Sequence, residues 1–264
     1  MNLLPASILR ALLSHPLTRG RNLDDPRTTE LRREIIRSKP FLRKLYEDWY
    51  RLILEDLVPL QRPVLELGSG GGFLNEKIGG LITSEVFFCR HVNLVADAMQ
   101  LPLRRESLGA IVMIDVLHHI PDVRKFLREA GSVVRPGGLM IMIEPWVSRW
   151  SRLIYTKLHH EPFLPASEEW AFPTSGPLSG ANGALPWIVF ERDLDRFASE
   201  FPEWRLERLR PMMPFRYLIS GGVSMRSLTP GFSYPAWSRI ERWLEPWMRS
   251  WAMFALIVLR RSVI

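Results

Sequence analysis

The chain has 264 residues, a length that favours one α/β domain with appended elements over two complete domains. Hydrophobic residues make up 47% of the chain and charged residues 24%, a composition that supports a packed core and excludes bulk disorder. The net charge of +7 favours anionic partners, but the arginines are scattered among apolar positions rather than gathered into one basic run. A nucleic-acid partner is therefore disfavoured.

The remaining composition bears on where the protein works. The single cysteine, Cys89, cannot form an internal disulfide or a cysteine-rich metal site, which fits the cytoplasm. Arg10 interrupts the apolar N-terminal stretch, so we expect no signal peptide. The longest apolar run, residues 251–259, is shorter than the about 20 residues that a spanning helix needs, so we expect no transmembrane segment. Oligomeric state is not fixed by the sequence.

Residues 1–59 are predicted to form an N-terminal helical cap. From Phe41 onwards, apolar residues recur at helical spacing. Pro59 and Pro63 bracket the end of this region. The remaining residues, 60–264, are predicted to form one domain.

Short apolar runs alternate with helical segments after residue 60. This alternation predicts an α/β fold with a doubly wound, largely parallel sheet, and helices at 121–134 and 190–201. Residues 251–261 are expected to close the sheet in an antiparallel hairpin. The seven predicted strands lie within residues 63–68, 81–86, 92–96, 110–115, 139–144, 204–211 and 251–261.

Two connections in this pattern are unusual. Only residues 87–91 separate the second and third predicted strands, whereas a parallel crossover normally takes a dozen residues or more. Either the sheet is abbreviated there or one strand assignment is wrong. Residues 146–189 are rich in proline, tryptophan, serine and glycine without a clear period, and are predicted to form an inserted lid.

A glycine-rich turn, GSGGG at residues 68–72, follows the first predicted strand. Glycine allows the chain to reverse sharply and lets a ligand approach the backbone closely. A helix after the turn would direct its free N–H groups at a carboxylate or phosphate. The alternative is a tight turn that binds no ligand.

Three downstream motifs extend this signal. They are DAMQLPL at 97–103, AIVMIDVLHHIPD at 110–122 and VVRPGGLMIMIEP at 133–145. With the glycine-rich turn, and in this order, they resemble class I S-adenosylmethionine-dependent methyltransferases, in particular the type 11 subgroup that includes quinone-biosynthesis enzymes. The resemblance implies a Rossmann-like, seven-stranded mixed sheet and S-adenosylmethionine as cofactor.

The resemblance also implies a cofactor site at the strand ends. Glu85 matches the acid that binds the ribose hydroxyls, and a carboxylate can accept hydrogen bonds from both. Asp97 and Ala98 match the pair beside the adenine amino group, and Asp115 and Val116 match the segment that flanks the methyl group. The residues implied at the methionine end are Glu66, Gly68, Ser69, Gly70 and Gly72.

Two histidines follow this segment. His118 and His119 match a polar pair of the family, and histidine can accept a proton near neutral pH. We predict them as catalytic residues and favour His119. The alternative is that one caps the next helix while the other packs in the core.

Three further residues are predicted to contact the acceptor. Glu144 ends the fifth predicted strand, and ligands bind at the carboxyl ends of such strands. His159 and His160 lie in the lid beside Glu161. Adjacent histidines on an extended chain point to opposite faces, so we predict no metal site.

The predicted function is methyl transfer to a small, apolar or amphipathic acceptor. The lid aromatics Phe163, Trp170, Phe172 and Trp187 motivate the apolar acceptor. One alternative is a cytoplasmic enzyme bound peripherally at the inner face of a membrane that methylates a lipid or polyprenyl compound. It rests on the amphipathic, tryptophan-rich segment 237–251, although packing of this segment against the sheet is the favoured interpretation. Another alternative is a non-catalytic scaffold with the same fold.

Overall fold

A seven-stranded mixed sheet organises the computed structural model, which describes residues 14–17, 21–22, 24–57, 63–158, 161–174, 176 and 180–263. The strand order is β3-β2-β1-β4-β5-β7-β6, with β7 antiparallel to both neighbours and the remaining pairs parallel. The predicted fold class is confirmed. The strands are β1 Val64–Leu67, β2 Ile82–Glu85, β3 Leu94–Val95, β4 Leu108–Ile114, β5 Val134–Pro145, β6 Trp204–Met212 and β7 Phe254–Arg261.

Helices precede, connect and follow these strands. Asp122 caps the helix predicted at 121–134 by accepting a hydrogen bond of 2.9 Å from the Lys125 amide. A π-helical turn, Ile188–Arg192, lies between α5 and α6. The helices are α1 Pro26–Ser38, α2 Pro40–Leu57, α3 Val123–Val133, α4 Arg149–Leu158, α5 Leu185–Trp187, α6 Leu194–Glu200, α7 Arg216–Ser220, α8 Tyr234–Trp243 and α9 Met248–Trp251.

The first half of the sheet is abbreviated. The helix predicted after the glycine-rich turn is wrong, since only a 3-10 turn, Leu74–Glu76, forms there. Gly79 and Gly80 follow closely and disfavour helix propagation. Residues 86–93 join β2 to the two-residue strand β3 without a helix, so both predicted strands exist and their connection is short.

The N-terminal helices brace the glycine-rich turn instead. The Arg33 guanidinium of α1 donates to the Gly72 carbonyl, and the Tyr50 hydroxyl of α2 accepts from the Phe73 amide at 2.8 Å. A Cβ atom at Gly71 would lie 2.6 Å from the Arg33 amide nitrogen, so only glycine permits this approach. The predicted helical region is confirmed for residues 26–57.

Helix α2 also packs into the core of the sheet. Phe41, Leu42, Leu45, Trp49 and Ile53 are at most 1% exposed and belong to the same hydrophobic cluster as β1, β4, β5 and β7. Burial of this apolar stripe, at about 1.5–3 kcal/mol for each large side chain, holds α2 in place. The helix therefore positions Tyr46 and Tyr50 beside the strand ends.

The C-terminal part departs from a simple hairpin. Strands β6 and β7 pair antiparallel as predicted, but residues 213–253, which include α7, α8 and α9, separate them. Pro246 lies in a 3-10 turn between α8 and α9. Within the ranges that the structure describes, no helix has both the length and the apolarity needed to cross a bilayer.

Candidate functional site

One cavity lies where the parallel strands end. Its volume is about 350 Å³, within the range of about 300–1,000 Å³ for ligand pockets. Its lining includes Leu67, Glu85, Ala96, Ile114 and Pro145, which lie at or next to the carboxyl ends of β1 to β5. All ten residues predicted to bind the cofactor line it: Glu66, Gly68, Ser69, Gly70, Gly72, Glu85, Asp97, Ala98, Asp115 and Val116.

Two glycines of the turn serve different purposes. Gly68 and Gly70 have φ of 61° and 51°, a conformation that L side chains rarely adopt. A Cβ atom at Gly68 would lie 2.6 Å from Val116 Cγ2, so packing against the loop after β4 demands glycine. A Cβ atom at Gly70 would meet only Glu85 Oε1 and the Gly68 carbonyl, both at 3.7 Å. Gly70 therefore leaves room for a ligand against the backbone.

Glu85 links β2 to the glycine-rich turn. Its Oε1 atom accepts from the Gly70 amide at 2.7 Å, and its Oε2 atom accepts from the Val86 amide at 3.2 Å. The side chain is buried, and that burial raises its pKa. A carboxylate has acceptor capacity for further donors, and Glu85 directs it into the cavity. The short β2–β3 connection thus leaves Glu85 at the predicted site.

Two other acids titrate near neutral pH. Burial raises the pKa of Glu66 to about 7, and burial likewise raises the pKa of Asp115 to about 7. Asp115 also has φ of 62°, which is rare for a residue with a side chain and costs about 1–3 kcal/mol. Such a backbone conformation persists only where contacts with the surrounding structure stabilise it.

The loop after β4 is held by a buried carboxylate. Glu144 Oε1 accepts from the Val116 and Leu117 amides, both at 2.8 Å, and Oε2 accepts from His118 Nδ1 at 2.9 Å. Glu144 is 0% exposed and does not line the cavity. The predicted contact between Glu144 and an acceptor is therefore corrected, because its oxygens are engaged in positioning the 3-10 turn Leu117–His119.

His118 and His119 differ in charge. Although burial acts to lower it, the hydrogen bond to Glu144 and the nearby Glu161 carboxylate raise the pKa of His118 well above its ordinary value. Burial and the charge on His118 lower the pKa of His119 to about 4. His119 Nδ1 lies 3.1 Å from the Gly180 carbonyl, which can only accept, so Nδ1 carries the proton. His119 Nε2 is then an acceptor.

The lid contributes differently from the prediction. Phe163 lines the cavity, but Trp170 is 0% exposed and donates from Nε1 to Asp193 at 2.8 Å, so it packs in the core. Phe172 and Trp187 also pack against the core and lie outside the cavity lining. The aromatic surface of the cavity comes instead from Tyr46, Tyr50, Tyr155, Phe163, Tyr217 and Phe254.

Glu161 is a site residue that the sequence prediction omitted. It lines the cavity, and its carboxylate lies 3.6 Å from His118 Nε2 and 3.9 Å from His119 Nε2. The only sequence signal was its place in the polar cluster of the lid. His159 and His160, predicted to contact the acceptor, lie outside the described residues.

The tryptophan-rich segment is more exposed than the favoured interpretation required. Trp243 is 71% exposed and Trp247 is 51% exposed, with their ring centroids 5.7 Å apart. Packing against the sheet is therefore wrong for these two residues. Trp251 does pack, with its ring centroid 5.6 Å from that of Trp150.

Comparison with known proteins identifies a methyltransferase domain in part of the chain. Residues 65–142 match the family model described as a methyltransferase domain. A 27-O-demethylrifamycin SV methyltransferase of Amycolatopsis mediterranei is 40% identical over 47 residues, which is 18% of this chain and 17% of that protein. The matched segment therefore spans less than a fifth of this curated relative.

Solved structures resemble the chain over most of its length. A geranyl diphosphate methyltransferase in complex with sinefungin superposes with a TM-score of 0.50 and 14% identity, covering 84% of this chain and 80% of that one. The geranyl diphosphate C-methyltransferase of Streptomyces coelicolor superposes with a TM-score of 0.49 and 13% identity, covering 95% and 89%. At such low identity the likeness concerns the fold alone.

Proposed function

We propose that this chain transfers a methyl group from S-adenosylmethionine to a small, apolar or amphipathic acceptor, since residues 65–142 match the methyltransferase domain. The main support for this proposal is that all ten residues expected to bind the cofactor line one cavity at the strand ends. The cofactor supplies a methyl group that is already activated on a sulfonium. The protein must then align the acceptor and exclude water, and alignment alone contributes about 7–11 kcal/mol in favourable cases.

The cofactor half of the cavity is the glycine-rich side. Gly68 and Gly70 let the methionine end approach the backbone, and Glu66 offers a carboxylate to its ammonium group. Glu85 accepts from the ribose hydroxyls. Asp97, whose Oδ1 already accepts from the Met99 amide at 2.8 Å, lies with Ala98 at the adenine end. Asp115 and Val116, which also line the cavity, would lie beside the methyl group of the bound cofactor.

The acceptor half is lined by aromatic side chains and by the polar residues His119 and Glu161, with His118 next to them. Aromatic side chains such as Tyr155, Phe163 and Phe254 provide apolar surface and exclude water. The lowered pKa of His119 keeps it neutral at physiological pH, so its Nε2 atom can accept a hydrogen bond from an acceptor hydroxyl and orient it, although a group with a pKa of about 4 is a weak general base. His118 lies behind the lining, where Glu144 fixes its orientation.

Calorimetric titration with S-adenosylhomocysteine tests the cofactor site. The variant Gly70→Arg fills the cavity and should weaken binding at least about 100-fold. Gly80→Arg is its matched control, because Gly80 also has positive φ but has nothing within 4 Å of its Cβ position. This control should bind like the wild type. A folded wild type that does not bind would favour the scaffold alternative.

A matched acceptor pair tests the apolar preference. S-adenosylhomocysteine production would be compared for a phenolic acceptor with and without an attached prenyl chain. We expect a KM lower by about tenfold or more for the prenylated compound, because about 25 cal/mol is gained for each Å² of apolar surface buried. Equal or better use of the unsubstituted phenol would contradict the apolar assignment.

We infer a second candidate function, peripheral binding to an anionic membrane that presents a lipid acceptor. The exposed Trp243 and Trp247 support it, together with the exposed Arg239, Arg242 and Arg249 on the same segment. Tryptophan rings lie well at a lipid interface, and each basic residue near an anionic surface contributes about 1 kcal/mol.

Co-sedimentation with phosphatidylglycerol vesicles tests this candidate. Binding should fall when Trp243 and Trp247 are both replaced by alanine, and it should weaken at high salt. Phe88→Ala is the control, because Phe88 is 72% exposed but lies outside the segment. Wild-type protein that stays in the supernatant, or an equal effect of Phe88→Ala, would exclude this surface as the lipid contact.

A further inference from the structure

We infer that His118, His119 and Glu161 bind a divalent transition-metal ion at the acceptor side of the cavity, through the two Nε2 atoms and a carboxylate oxygen. This inference deepens the proposed function, on which it rests for the use of the ion. The binding of the ion can be measured without any methyl transfer.

The three ligand atoms converge. They lie within 4.8 Å of one another, with Glu161 oxygens 3.6 Å from His118 Nε2 and 3.9 Å from His119 Nε2. Nitrogen and oxygen ligands about 2.0–2.2 Å from a shared ion stand about 3–4 Å apart. Small side-chain rotations would therefore close the site around an ion.

Both imidazoles are oriented by their other nitrogen. His118 Nδ1 is bonded to the Glu144 carboxylate at 2.9 Å, and His119 Nδ1 to the Gly180 carbonyl at 3.1 Å. Hydrogen bonds of this kind, from the far nitrogen to a carboxylate or backbone carbonyl, accompany almost every histidine that binds a metal. In His119 the hydrogen bond fixes the tautomer in which Nε2 offers its lone pair, and His118 would release its Nε2 proton when the ion binds.

The backbone conformation brings two adjacent histidines together. No metal site was predicted from the sequence, where the argument concerned His159 and His160, because adjacent histidines point apart on an extended chain. His118 and His119 belong instead to the 3-10 turn Leu117–His119, and their ring centroids are only 4.2 Å apart. The turn brings both side chains to Glu161.

The local charge favours a cation. Glu144 and Glu161 flank His118, and Asp115 Oδ1 lies 3.9 Å from its Nε2 atom. A divalent ion would offset these carboxylates and could take Asp115 as a further ligand. His119, Glu161 and Asp115 all line the cavity, so the ion would face the acceptor.

The ligand set indicates the class of ion. Two imidazoles with one carboxylate suit zinc, iron, cobalt or nickel, whereas magnesium and calcium prefer oxygen ligands. Zinc is the appropriate first probe because it has no redox chemistry. With the ion bound, His119 Nε2 would be a ligand and not a proton acceptor, and an acceptor hydroxyl on the ion would lose its proton to water more readily.

Calorimetric titration of the chelator-treated full chain with Zn²⁺ tests the inference. We expect one site per chain, with affinity at least about tenfold weaker in His119→Asn and in Glu161→Gln. Glu169→Gln serves as the control, because Glu169 is a surface acid whose side chain is 71% exposed. A wild type that binds Zn²⁺ no more tightly than about 1 mM, or variants that match it, would overturn the inference.

A second titration separates this inference from the proposed function. S-adenosylhomocysteine binding and the thermal midpoint would be measured on the same samples. If the folded wild type binds S-adenosylhomocysteine but not Zn²⁺, the metal site alone is contradicted. If the folded wild type does not bind S-adenosylhomocysteine, the proposed function is contradicted. If His119→Asn fails to fold, Glu161→Gln carries the test, because the Glu161 side chain is 20% exposed and replaced by an isostere.

Discussion

His118 Nδ1 donates a hydrogen bond of 2.9 Å to Glu144 Oε2, and the two side chains are 1% and 0% exposed. This buried pair joins the end of β5 to the turn after β4. Because Glu144 also accepts from two backbone amides, one carboxylate fixes both the backbone of the turn and the ring of His118.

Two substitutions of Glu144 should differ in their effect on stability. Glu144→Ala leaves a buried histidine charge and two amides without their acceptor, so we expect the free energy of unfolding to fall by about 3–5 kcal/mol. Glu144→Gln keeps one acceptor oxygen for the amides and should lose about 1–3 kcal/mol. Urea denaturation measures both. Equal losses would contradict the separate roles of the two oxygens.

The contact between Gly68 and Val116 predicts a coupled pair. Gly68→Ala should destabilise the protein by about 1–3 kcal/mol, because its Cβ would lie 2.6 Å from Val116 Cγ2. Val116→Ala in the same chain should recover part of that loss. A double-mutant cycle followed by denaturation measures the coupling, which we expect at about 0.5–3 kcal/mol.

Gly70→Ala is the control for that cycle. Gly70 shares the positive φ of Gly68 but has no neighbour closer than 3.7 Å to its Cβ position. Gly70→Ala should therefore lower the free energy of unfolding by only about 1–2 kcal/mol, the cost of the positive φ for a residue with a side chain. Val116→Ala should recover none of this loss. Recovery in this background would show that the steric account of Gly68 is incorrect.

Burial of Glu66 predicts a pH-dependent difference in stability. Its pKa is about 7 in the folded protein against an ordinary value of 4.5, so the cofactor-free folded state binds the extra proton between these values. The stability of the folded state that depends on a protonated Glu66 is fully present below pH 4.5 and is lost as the pH rises through 7. Glu66→Gln cannot ionise, so relative to the wild type it should gain up to about 3 kcal/mol between pH 4.5 and pH 8.

Thermal and urea unfolding of both proteins across that pH range measure this gain. The same substitution should weaken S-adenosylhomocysteine binding, because it removes the carboxylate assigned to the ligand ammonium. A constant stability difference between pH 4.5 and pH 8 would refute the raised pKa.

The sequence predicts the sheet and the cofactor cavity because local signals carry them. Apolar runs mark β1 to β7, and the motif order places Glu66, Glu85, Asp97 and Asp115 at neighbouring strand ends. The class I methyltransferase resemblance is confirmed by the family match at residues 65–142. The short β2–β3 connection was also visible from chain length alone.

The errors have tertiary causes. No local pattern shows that α1 and α2, rather than a helix after the turn, support Gly71 and Gly72. Whether Glu144 faces the cavity or the turn depends on its contacts with Val116 and His118, which precede it by 28 and 26 positions in the chain. The exposure of Trp243 likewise follows from the path of the chain after β6, so it cannot be predicted from helical spacing alone.

A crystal structure with bound S-adenosylhomocysteine tests the central claim most directly. The account predicts ligand density along Gly68 to Gly70, with the ribose hydroxyls hydrogen-bonded to Glu85 and the adenine beside Asp97. Density elsewhere on the protein, or a cavity without ligand in crystals grown at saturating concentration, would contradict the assignment of this cavity to the cofactor.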